Sequence, residues 1–90
     1  MECTALLVIE FDVAVDRISR AMFDEKFASH GWRRLAGLAG AWTLAFERSS
    51  RESALRSSRS TLELALQGAR INREQARAAL HIGPEEPVPV

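Results

Sequence analysis

One cysteine, Cys3, stands in ninety residues, so no internal disulfide can staple this chain. Lysine is nearly as scarce: eleven of the twelve basic residues are arginine, and the other is Lys26. That bias reflects coding composition as much as chemistry. No apolar run approaches the roughly 18 residues of a membrane span. Residues 1–10 lack the basic flank and small-residue cleavage site of a signal peptide, so a cytoplasmic protein with no membrane partner is expected. The usual catalytic signatures are missing too. Gly37-Leu38-Ala39-Gly40 has turn glycines without the Lys and Ser/Thr of a phosphate loop. His30 and His81 have no partner at metal-ligand spacing, and the serines lack a nucleophile elbow. There is neither an internal repeat nor a second domain.

With 47% hydrophobic residues, the chain is well able to form one core. Its strongest signal is Thr4–Asp12, a short apolar run rich in β-branched residues that reads as a strand inside a sheet. Alternation puts Leu7, Ile9 and Phe11 on one face, and Leu6, Val8, Glu10 and Asp12 on the other. Asp16 is the expected N-cap of a first helix. Ile18, Met22, Phe23, Phe27 and His30 are read as its buried face, closed by Gly31.

From Trp32 the period changes. Trp32–Ala36 suits a short edge strand, and Gly37 and Gly40 bracket a turn. Ala41–Glu47 then alternates, with Trp42, Leu44 and Phe46 on the face expected to meet Leu7, Ile9 and Phe11. Ser49 and Glu52 form a capping-box pattern opening a second helix, with Leu55, Leu62, Leu66 and Ala69 inward. Thr61–Leu66 alternates as well, so a helix ending near Ser58 followed by a strand is the alternative. The long helix is preferred because Arg77–Ile82 then supplies the last strand. Residues 84–90 form a Pro-rich tail barred from any central strand, left extended, disordered, or along the edge of a second copy.

The order strand, helix, strand, strand, helix, strand is the α+β ferredoxin-like βαββαβ plan. It predicts a four-stranded antiparallel sheet with two helices on one face, in a single domain over residues 1–83. The uncovered face, with Leu6, Val8 and Ala45, is too apolar to face water alone, which predicts a homodimer.

Net charge is zero, yet residues 33–77 carry nine arginines against four glutamates. Much of this reads as a solvated helix face with pairs such as Glu52–Arg56. A basic middle can also contact phosphate, and Arg51, Arg56 and Arg59 are the nucleic-acid candidates. Trp32 and Trp42 are candidates for base stacking, with core packing the better reading for Trp42. Glu10 and Asp12, two apart on one strand, group oxygen ligands for a hard cation such as Mg²⁺ or Mn²⁺. One chain supplies too few ligands, and a two-fold axis would double them. The alternative is that Asp12 ends the strand by bonding the next turn.

The strand ending in Phe11-Asp12-Val13, the helix, Gly31-Trp32-Arg33-Arg34-Leu35 and Ala41-Trp42-Thr43-Leu44 resemble the small CRISPR-adaptation and virulence-associated protein D superfamily. The likeness covers about residues 4–47. It implies a ferredoxin-like dimer of defence or toxin–antitoxin type. It also implies a metal-dependent nuclease using Asp12, or a nucleic-acid-binding subunit. The other expectation is a non-catalytic interaction module with a protein partner, such as an antitoxin, inhibitor or assembly subunit. This chain has no basic residue soon after Asp12, which counts against cleavage.

Overall fold

A computed structural model describes residues 2–47, 50–83 and 88–89. The elements run β1 (Glu2–Phe11), α1 (Arg17–Ser29), β2 (Arg33–Arg34), β3 (Ala41–Glu47), α2 (Arg51–Gly68), a 3₁₀ turn (Arg73–Gln75), β4 (Ala76–Ile82) and β5 (Val88–Pro89). The strands form one antiparallel sheet in the order β2-β3-β1-β4-β5. Its first four are the ferredoxin-like sheet, with β1 and β3 inside and β2 at an edge.

Register follows side-chain alternation. Leu7 lies opposite Trp42 on one side and Leu80 on the other, and all three are buried. Burying that face makes the register costly to slip, since one residue of shift would turn every apolar side chain outward. Gly40 locks the β3 end: its φ is +75°, a Cβ there would collide with the Ile9 carbonyl, and its own carbonyl accepts from Ile9 N at 2.8 Å.

Asp16 caps α1, its Oδ1 accepting from Ser19 N at 2.7 Å. That backbone hydrogen bond, with a smaller one from Ile18, holds the Asp16 carboxyl below the ordinary aspartate range. The buried stripe of α1 is narrower than expected. Phe23 and Phe27 are buried, whereas Ile18 is 73% exposed, Met22 is 36% exposed and His30 is exposed. The reason is angular: nine residues separate Ile18 from Phe27, which at about 100° per residue puts them on opposite sides of a helix.

The aromatic side chains form one stack. Phe27 stacks on Phe23 at 5.0 Å and on Trp32 at 4.6 Å, and Trp42 meets Phe27 edge-on at 5.1 Å. Trp32 therefore leaves the strand predicted at 32–36, of which only Arg33–Arg34 pair, and enters the core. Its indole Nε1 donates to Thr61 Oγ1 at 3.0 Å, satisfying the one polar group it buries.

Helix α2 runs unbroken through Thr61–Leu66, so the long-helix reading holds. Ala54, Ser58, Leu62, Ala65, Leu66 and Ala69 are buried at helical spacing, while Leu64 is 51% exposed. The cap is Ser50, whose Oγ accepts from Ser53 N at 3.1 Å. This places the start one residue beyond the expected Ser49, which lies outside the described residues. At the other end Ile71 N donates to Leu66 O at 2.9 Å and Arg70 N to Gln67 O at 3.1 Å. This is a Schellman closure with Arg70 in the left-handed region, φ 58°. In the tail, Val88–Pro89 lie along this chain's own β4, at the sheet edge where proline's missing donor does least harm.

Candidate functional site

Both helices pack on one sheet face, and the other face is open. Cross-strand pairing sorts it into rows. Arg33, Thr43, Leu6 and His81 form one row, Ala45 and Thr4 another, Ala41, Val8 and Ala79 a third, and Glu10 and Arg77 a fourth. Its centre is apolar or neutral. Val8, in the middle of the central strand, is 44% exposed, Leu6, Thr43 and Ala79 are half-buried, and Ala45 is exposed. Among the described side chains, charges on this face lie at the margins: Arg33 on edge strand β2, and Glu10, Asp12 and Arg77 at the far end.

At that end a shallow cavity of about 270 Å³ is lined by Glu10, Phe11, Asp12, Val13, Glu74, Gln75 and Arg77. The sequence pointed to Glu10 and Asp12. Glu74 and Arg77 arrive through the β1–β4 register, which pairs Glu10 with Arg77 and Phe11 with Ala76. Asp12 N donates to Gln75 O at 2.8 Å, and Asp12 Oδ1 accepts from Ala14 N at 2.9 Å. The strand-ending turn is thus present, and it occupies one carboxylate oxygen. Glu10 is exposed, so solvent relieves the desolvation cost expected if it were left unpaired among apolar neighbours. Its cross-strand neighbour is Arg77. Arg34, on edge strand β2, pairs with Asp24 at 3.4 Å.

Among the described residues, no group of three or more His, Cys, Asp or Glu side chains is placed to hold a metal ion. Mg²⁺ takes about six oxygens and usually keeps several as water, so Glu10 and Asp12 of one chain would supply only part of its shell and a second copy would add to it.

Arg51, Arg56 and Arg59 are exposed on α2 and fall within an arc of about 140° on one side of the helix. Glu52 precedes Arg56 and Glu63 follows Arg59 by four residues, which interleaves the charge. Neither tryptophan is available for base stacking, since both are 2% exposed. No helix among the described residues is long and apolar enough to cross a membrane.

No family model, characterised protein or solved structure was found to match the chain significantly.

Proposed function

We propose that this protein is a non-catalytic interaction module that works as a homodimer, joined through the helix-free sheet face. The observation that carries the reading is the exposure of Val8, 44%, in the strand every other element packs around. An uncharged centre inside a charged margin is the usual anatomy of an interface. Among the described side chains both signs occur on that margin, Glu10 and Asp12 against Arg33 and Arg77. A second copy can therefore meet it without net repulsion, which a margin of one sign would not allow. Size is adequate as well. Strands of ten, two, seven, seven and two residues, at about 3.3 Å per residue and about 4.8 Å apart, give a footprint on the order of 440 Å². Side-chain relief raises the accessible area above this flat value, toward the roughly 800 Å² per partner of a standard interface. Val8→Arg, which puts a cation at the centre, should yield a folded monomer.

The likeness over residues 4–47 favours a role in defence or toxin–antitoxin assemblies, with the dimer binding a further protein or nucleic acid. A second reading, a Mg²⁺- or Mn²⁺-dependent nuclease, draws on one observation: Glu10, Asp12 and Glu74 share a cavity wall. Asp12→Asn keeps the shape and removes the charge, so it should abolish metal-dependent cleavage and spare the dimer. Wild-type protein inert toward RNA and DNA with either metal sinks the nuclease reading and leaves the interaction module. If nucleic acid is bound without cleavage, replacing Arg56 and Arg59 should weaken it and flatten its salt dependence.

A further inference from the structure

A cleft on the helix side of the sheet lies apart from the open face and plays no part in the interaction reading. It measures about 330 Å³, and Phe11, Arg20, Asp24, Arg34, Gly40 and Trp42 are among the residues that line it. Its origin is a mismatch of strand ends. Strand β3 stops pairing with β1 at Val8 and Ala41, whereas β1 continues beside β4 as far as Phe11 and Ala76. We propose that this cleft binds a phosphoryl group, as a small phosphate monoester presents it, between the guanidinium groups of Arg20 and Arg34.

The physical case starts with how the two cations are held. Arg20, half-buried on α1, donates from Nε to Val15 O at 3.0 Å and from Nη2 to Asp12 O at 3.1 Å, with its guanidinium 5.9 Å from the Phe11 ring centroid. Both carbonyls are neutral, so they orient the charge without cancelling it. Arg34 reaches in from β2, its guanidinium 5.8 Å from the Trp42 ring centroid and its Nη1 3.4 Å from Asp24 Oδ2. A bond between charged groups is ordinarily about 2.7–2.9 Å, so this pair is loose and can yield to a better acceptor. The backbone supplies a third donor. Asp12 N bonds Gln75 O on the β4 side of β1, and Ile9 N bonds Gly40 O on the β3 side. Antiparallel alternation therefore turns the Phe11 N–H to the β3 side, past the last β3 partner, at the edge where the cleft lies.

Donors thus come from α1, from β2 and from the sheet edge. Three directions of approach suit the free oxygens of a phosphate monoester better than a planar carboxylate, which accepts near one plane. Glu10 also lines the cleft, but alternation puts its side chain on the open face beside Arg77. Asp24 is then the carboxylate that a ligand must displace from Arg34. Removing it should tighten binding, and removing Arg34 should weaken it.

An NMR titration of the backbone amides of the full chain with glycerol phosphate tests this, beside acetate at matched ionic strength. Circular dichroism confirms that each variant is folded. Expected are saturable shifts centred on Phe11, Arg34 and Gly40 with glycerol phosphate and none with acetate. Arg34→Gln should weaken binding about tenfold or more, and Asp24→Asn should tighten it about two- to fivefold. Arg17→Gln removes the same charge from an exposed site on α1 and should leave affinity unchanged. No saturable shift in the wild type, or equal losses in the Arg17 and Arg34 variants, overturns the site. Equal affinity for acetate, or tighter binding of an oligonucleotide carrying phosphodiesters alone, overturns the choice of a phosphate monoester. The cleft lies on the helix side, so none of these outcomes bears on self-association through the open face.

Discussion

Arg70→Gly should be more stable than Arg70→Ala, although it contributes no new contact. Arg70 is the residue just past the C-cap Ala69 of α2, held at φ 58° so that Ile71 N can reach Leu66 O. The left-handed region crowds a Cβ against the following carbonyl and costs a non-glycine residue about 1–2 kcal/mol. Glycine avoids that cost but loses more backbone entropy on folding, about 0.4–1 kcal/mol. Removing the arginine also removes a cation from a helix C-terminus, a further effect of about 0.3–1 kcal/mol. The clean comparison is therefore Arg70→Gly against Arg70→Ala, which share the charge loss. The Gly variant should exceed the Ala variant by about 1 kcal/mol, or about 4–8 °C in Tm for a domain of this size. Urea unfolding at one fixed protomer concentration reads the difference, with equal slopes showing that the denatured state is unchanged. If the Gly variant matches or falls below the Ala variant, the left-handed closure at Arg70 is not the strained point described here.

Ser58 Oγ is buried in α2 without a hydrogen-bond partner among the described residues, so Ser58→Ala should raise stability by about 1 kcal/mol in the same urea assay. A loss on that substitution would mean that the hydroxyl has a partner. The lowered Asp16 carboxyl has a defined pH signature: its contribution is fully present above the ordinary aspartate value and fades as pH falls through the folded value. Asp16→Asn, which keeps a capping oxygen, should make stability less dependent on pH in that acid range, as read by urea midpoints at several pH values.

Strand β3 was legible because Trp42, Leu44 and Phe46 alternate with small or polar residues over seven positions, more than local propensity needs to declare a strand. The Asp16 cap, the Gly31 and Gly40 turns and the edge position of Arg33–Arg34 were readable for the same local reason. Helix α1 was misjudged on its buried face because apolar residue type was weighed above angle, and Ile18 lies half a turn from Phe27. The cap of α2 lies in a run of serines, where Ser49 and Ser50 differ only in which backbone donor three residues later they reach. The apolar character of the open face was visible in β1 and in Ala45 of β3. Its further members, Ala79, His81 and Arg77, were not, because they enter through the β1–β4 register across nearly seventy residues. Nothing local in sequence records which residues a distant strand will oppose.

The central claim is that the open sheet face joins two copies of this chain, and molecular mass in solution tests it most directly. Light scattering across the micromolar range at pH 8 should give a mass near twice 10.0 kDa for the wild type. Val8→Arg, with unchanged circular dichroism, should give the single-chain value. A wild-type protein that stays at one chain throughout, or a Val8→Arg variant that remains dimeric, contradicts the account.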